Sequence, residues 1–140
     1  MVTSGMSLAK YGAPEKENNL VLWDVPPHLE IGVIPKKLYC NKDLITPLTQ
    51  AFKNLIETGC VAELRTWDGC FNIRDKKGGK TPSLHSWALA VDVNSAWNRF
   101  GHKPTLSDQF VHCFTSSEFD WGGVWGIPDG MHFQISKLPA

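Results

Sequence analysis

The sequence has no surplus charge of either sign. Fourteen Lys and Arg offset fourteen Asp and Glu among 140 residues, for a formal net charge of +0. That excludes the basic footprint of a nucleic-acid binder and the polybasic segments that recruit a protein to anionic membranes. No stretch approaches the ~20 apolar residues that span a bilayer, so no membrane insertion is expected. The opening MVTSGMSLAKYGAPEK lacks a charged n-region followed by an apolar run, and is expected not to be a Sec signal peptide. The four cysteines, Cys40, Cys60, Cys70 and Cys113, form no Cys-x-x-Cys hook. A structural zinc ribbon and a thioredoxin motif are therefore excluded, and reduced, buried thiols are expected. No repeat or low-complexity tract divides the chain.

What is present fits a single small domain. The hydrophobic share is 42% and the charged share 20%, both ordinary for a globular chain. Residues 1–40, with Gly12, Pro14, Pro26, Pro27, Gly32 and Pro35, read as an irregular N-terminal arm carrying one short strand at Ile31–Ile34. Residues 44–140 read as the core. Asp43 is an N-cap candidate for a helix in which Leu44, Leu48, Ala51, Phe52, Leu55 and Ile56 recur at three and four, closed by Gly59. Cys60–Trp67 and Cys70–Arg74 read as strands of a hairpin turned at Asp68-Gly69. Asp75–Pro82 reads as a mobile glycine-rich loop, Ala88–Val93 as a buried strand, Ser107–Ser116 as a helix and Met131–Ile135 as a final strand. The fold class expected is α+β, an antiparallel sheet with flanking helices.

Two segments carry the chemistry: Ser83 to Asn94 (SLHSWALAVDVN) and Trp121 to Gln134 (WGGVWGIPDGMHFQ). They supply His85, Asp92, Asp129 and His132, and two His with one carboxylate make a common catalytic zinc set. On a straight strand His85 and Asp92 would lie about 23 Å apart at about 3.3 Å per residue, on opposite faces. They can share a metal only if the chain turns between them. Asp129 and His132 are an easier pair, with Gly130 between them to allow a turn. Each residue also has a plain reading. The imidazoles fit satisfied core or surface groups, Asp92 a strand-end carboxylate, and Asp129 a turn former in Pro128-Asp129-Gly130.

Ser83-x-His85 through Ala90-x-Asp92 resembles the Ser-x-His-x-x-Gly-x-Ala-x-Asp motif of the M15 zinc peptidases. That family contains D-alanyl-D-alanine carboxypeptidases, D-Ala-D-Ala dipeptidases and phage endolysins. His85-Ser86-Trp87, Val91-Asp92-Val93-Asn94, Trp121-Gly122-Gly123, Trp125 and Asp129-x-Met131-His132-Phe133 are most similar to the phage L-alanyl-D-glutamate endopeptidase branch. The resemblance runs from about Leu44 to the C-terminus and departs at Ala88, where the motif has glycine.

The resemblance implies a Hedgehog/DD-peptidase-like fold and zinc held by His85, Asp92 and His132, with Asp129 as the catalytic acid/base. It further implies Arg74 and Ser83 on the substrate side, and a peptidoglycan stem peptide cut between L-Ala and D-Glu. The protein would then be a monomeric endolysin waiting in the host cytoplasm for a holin, with a virion-associated role as the alternative. Competing readings are a D-Ala-D-Ala carboxypeptidase or dipeptidase, and a zinc-stabilised wall-binding module without turnover. His28, His102 and His112 are expected to be structural or solvated. Trp121 and Trp125 are expected in the core, with a cleft lining as their other reading.

Overall fold

The computed structural model describes residues 1–140. Helix α1 spans Ser4–Tyr11, α2 Ile45–Thr58 and α3 Asp108–Thr115. Strands β1 (Leu20–Asp24) and β2 (Lys37–Asn41) form an antiparallel pair. Strands β3 (Trp67–Gly69), β4 (Ala90–Val93), β5 (Phe119–Trp121) and β6 (His132–Ile135) form a second antiparallel sheet in the order β3-β4-β6-β5. The expected α+β single domain is therefore observed.

The period of two along β6 divides its residues between two purposes. Phe133 stacks on Phe114 at 4.3 Å and on Trp121 at 6.3 Å, and meets Phe110 at 6.4 Å. Packing of this kind makes truncation of a buried phenylalanine cost about 3–5 kcal/mol. His132 and Gln134 alternate with Phe133 and so point to the other face. In register, Asp92 on β4 pairs directly with His132 on β6. The sheet thus sets a carboxylate beside an imidazole with α3 packed on its far side.

Both core helices follow the sequence pattern. Leu48, Ala51, Phe52 and Leu55 of α2 are fully buried, and Gly59 ends the helix in the left-handed region at φ 76°. Ser107 caps α3 by accepting from Phe110 N. Asp43 does not cap α2. A 3-10 turn over Lys42–Leu44, capped by Asn41, leads into the helix, while the Asp43 carboxylate accepts from the Tyr11 hydroxyl at 2.6 Å.

Three other expectations are corrected. The arm over residues 1–40 contains α1 and the β1–β2 hairpin, and it has no strand at Ile31–Ile34. It also gives Val2, Tyr11, Val25, Leu29, Ile34, Leu38 and Cys40 to the common core. Cys60–Glu63 is a 3-10 turn rather than a strand, since the chain leaves Gly59 still coiling. Asp68-Gly69 is no hairpin turn: both residues lie in β3, which pairs with β4, and Cys70–Arg74 forms no strand. All four cysteines are free and buried, as expected. No helix is long and apolar enough to cross a membrane.

Candidate metal centre and cleft

The turn required between His85 and Asp92 is present. Ser83 accepts from His85 N and caps a 3-10 turn over Leu84–Trp87, after which Ala88 adopts φ 53°, ψ 40°. This left-handed residue reverses the chain into β4, which carries Asp92. It stands where the motif has glycine, and the alanine, fully buried, holds the glycine-type conformation.

On the other strand, Asp129 N donates to Gly122 O at 2.8 Å and His132 N to Asp129 O at 3.1 Å. The approach needs a residue without a side chain at 122, because a Cβ there would lie 2.5 Å from Asp129 O. Gly130 serves differently from expected. It is not in the left-handed region; its place is set by crowding, since a Cβ would stand 3.0 Å from Pro104 and 3.1 Å from Asn98 Oδ1.

His85, Asp92 and His132 converge, with one ligand atom from each all lying within 4.8 Å of one another. His85 Nε2 is 3.1 Å from Asp92 Oδ2, and His132 Nδ1 is 3.6 Å from Asp92 Oδ1. Neither contact has hydrogen-bond geometry: His85 Nε2, His132 Nδ1 and Asp92 Oδ1 are all buried and unpartnered.

The opposite ring nitrogens explain why. His85 Nδ1 lies 2.7 Å from Cys70 O, and a carbonyl can only accept, so Nδ1 carries the proton. Gln134 Nε2 donates to Val2 O, which turns Gln134 Oε1 toward His132 Nε2 at 2.9 Å, so there Nε2 carries the proton. In its neutral form each ring then turns a lone pair toward the Asp92 carboxylate. Burial alone would push the Asp92 carboxyl up. Imidazoles that donate to it, His132 and then His85, would hold it well below the usual carboxylate range. With the protons on the outer nitrogens that donation is not made.

Two lone pairs and an anion meeting in a buried space repel one another unless a cation sits between them, and each unpartnered group costs about 1–3 kcal/mol. The donor set suits zinc, whose tetrahedral ligands at ~2.0–2.1 Å lie about 3.3 Å from one another. Outer hydrogen bonds that fix the tautomer are the usual support of a metal-ligating histidine. These three residues fit a divalent metal such as zinc.

A cavity of about 350 Å³ opens beside His132, lined by residues that include Arg74, Lys77, Ser83, Trp125 and Asp129. A second, of about 200 Å³, lies beside His85 and Asp92. Arg74 borders both. Asp129 is buried but stands outside the three-residue cluster. Its Oδ1 lacks a hydrogen-bond partner and lies 3.5 Å from Lys77 Nζ. Ser83 lines the larger cavity while serving as a cap. Trp121 packs in the sheet and donates to Gly130 O, whereas Trp125 faces the cavity and the His132 ring at 5.3 Å. The exposed His28, His102 and His112 stand outside the cluster.

Residues 77–135 match a family model described as D-alanyl-D-alanine carboxypeptidase, of the M15 peptidases. The match takes in Ser83, His85, Asp92, Asp129 and His132 but not Arg74. It covers under half of the chain, and it supports a metallopeptidase of the M15 type. No curated protein and no solved structure matches the chain. Sequence reasoning missed Gln134, Val2, Lys77 and the Cys70 carbonyl. The one available signal was Gln134 at two residues beyond His132, where a strand returns to the same face.

Proposed function

We propose that the protein is a zinc-dependent peptidase that hydrolyses the L-Ala–D-Glu bond of the peptidoglycan stem peptide, as an endolysin does. The observation that carries a hydrolytic reading is the pair of imidazole lone pairs turned toward the Asp92 carboxylate, with the separate buried carboxylate of Asp129 on the adjoining cavity. The finer choice of bond rests on the resemblance of the two motifs to the endopeptidase branch.

His85, Asp92 and His132 would hold the zinc, which would supply Lewis acidity to activate water and polarise the scissile carbonyl. Asp129 accepts the proton of the attacking water and returns it to the departing amine, as a general base and then a general acid. Arg74, between the two cavities, binds the peptide and faces the oxygen on which charge grows. Ser83 holds the turn that presents His85 and borders the bound peptide. On this reading the protein works from the host cytoplasm once a holin has opened the membrane.

A second reading, D-Ala-D-Ala carboxypeptidase or dipeptidase, is favoured by the description of the matching family model. Mass spectrometry of fragments from purified sacculi separates the two. New amino-terminal D-Glu with intact glycan strands is expected. Release of D-Ala or D-Ala-D-Ala alone would replace the first reading with the second, and new reducing sugar ends would overturn both.

A further inference from the structure

The Asp75–Pro82 segment has a clamped base. Lys76 N donates to Thr81 O and Ser83 N to Arg74 O, each at 2.8 Å, and the Ser4 hydroxyl donates to Pro82 O. Gly78, at φ 73°, makes the turn at its tip. The clamp sets Lys76 and Lys77 on the wall of the larger cavity. With Arg74 they make three cations, and Asp129 is the only acidic residue lining the same space. In a chain of zero formal net charge, positive charge is concentrated where the substrate would lie.

Lys77 is the informative member. Its ammonium is 3.5 Å from Asp129 Oδ1, 3.5 Å from Met131 Sδ and 5.7 Å from the centre of the Phe100 ring. The Lys77 side chain keeps 32% of its surface exposed against 9% for Asp129. A buried carboxylate is thus paired with a cation that a ligand can still reach. A carboxylate arriving on the substrate offers Lys77 a second partner.

We propose that Lys77 is a specificity-determining residue that recognises a free carboxylate next to the scissile bond, exchanging its contact with Asp129 for one with the substrate. The inference rests on the reading above. There the residue on the amine side of the cut is a D-Glu joined onward through its side-chain carboxyl, so its α-carboxylate is free. Lysine binds such a group as a point charge, with charge-assisted hydrogen bonds about twice as strong as neutral ones.

Two stem peptides that differ only in bearing an α-carboxylate or an α-carboxamide on D-Glu make the test. The zinc-loaded protein is expected to favour the carboxylate roughly tenfold in kcat/KM, mostly through KM. Lys77→Met should bring that ratio near one, and Lys77→Arg should keep most of it. Calorimetry on the full chain in chelator, where nothing is cut, should show the same order of affinities. A wild-type protein indifferent to the carboxylate, or a preference that survives Lys77→Met, overturns the proposal. If neither peptide is cut, the assigned reaction fails, and the calorimetric preference alone then decides for or against Lys77.

Discussion

The two histidines of the cluster do the same work with different support. His85 is oriented by a backbone carbonyl, Cys70 O, that shares a cleft wall with it. Its ring cannot lose that partner to any side-chain substitution. His132 is oriented by a side chain, Gln134, which is itself held by Val2 O from the other end of the chain. One half of the centre is therefore locally built, and the other depends on the N-terminal segment staying docked. The lesson is that a ligand set legible as three residues has unequal robustness, decided by what holds each ring.

Removing the rings is the strongest intervention and should erase the asymmetry. His85→Ala and His132→Ala should each lose most bound zinc, because two remaining ligands do not make a tight site. Metal analysis after reconstitution checks it, and a variant that retains stoichiometric zinc would remove that residue from the ligand set. Asp129→Asn acts on the His132 side without touching a ligand. It should keep zinc and the fold while turnover falls roughly 10²–10⁴-fold, since an amide cannot accept the proton. Loss of zinc in this variant would instead make Asp129 a ligand.

The support is the next target. Gln134→Leu keeps a strand residue of similar size but leaves His132 Nε2 without its acceptor. Outer partners of this kind are typically worth about 10–100-fold in metal affinity or activity. Competition with a chromophoric chelator should show a loss in that range, and unchanged affinity would mean that Gln134 does not set the ring. Deleting residues 1–3 removes Val2 O but leaves Gln134 able to bond water in its place. The affinity loss should be smaller than for Gln134→Leu, only several-fold. A larger loss would show that the segment does more than brace the amide.

The same contrast governs what could be read from sequence. The α2 stripe and the helix that begins at Ser107 are local matters, and the structure has them as the residues imply. The reversal between His85 and Asp92 was demanded only by a shared metal; it falls at Ala88, read as the start of a strand that in fact begins at Ala90. Helix α1 buries only Ser7 and Tyr11, so it carries no apolar stripe to recognise. Strand β1 has no buried residue and no alternation of buried with exposed, and its pairing with β2 cannot be seen from either alone. Asp68-Gly69 has the chemistry of a turn, but β3 pairs with β4 instead, some two dozen residues on. In the candidate site, residue types and order were visible. The Gln134–Val2 bond and the Lys77–Asp129 contact join distant segments and were not.

The smallest effect should come from Ala88, on the locally built half. Its left-handed backbone costs a non-glycine residue about 1–2 kcal/mol, which Ala88→Gly would relieve. Against that, glycine gives up roughly 0.5–1 kcal/mol more chain entropy, and removing a fully buried methyl forfeits about 0.8 kcal/mol. These terms nearly cancel, so denaturant unfolding should place Ala88→Gly within about 1 kcal/mol of the parent. Zinc affinity should not change, because the Cys70 carbonyl still fixes the His85 ring. A stability gain beyond 2 kcal/mol would mean that the alanine strains the turn. A comparable loss would mean that its methyl is an essential part of the packing beneath β4. A change in zinc affinity without either would show that the His85 half is less self-contained than its hydrogen bond implies.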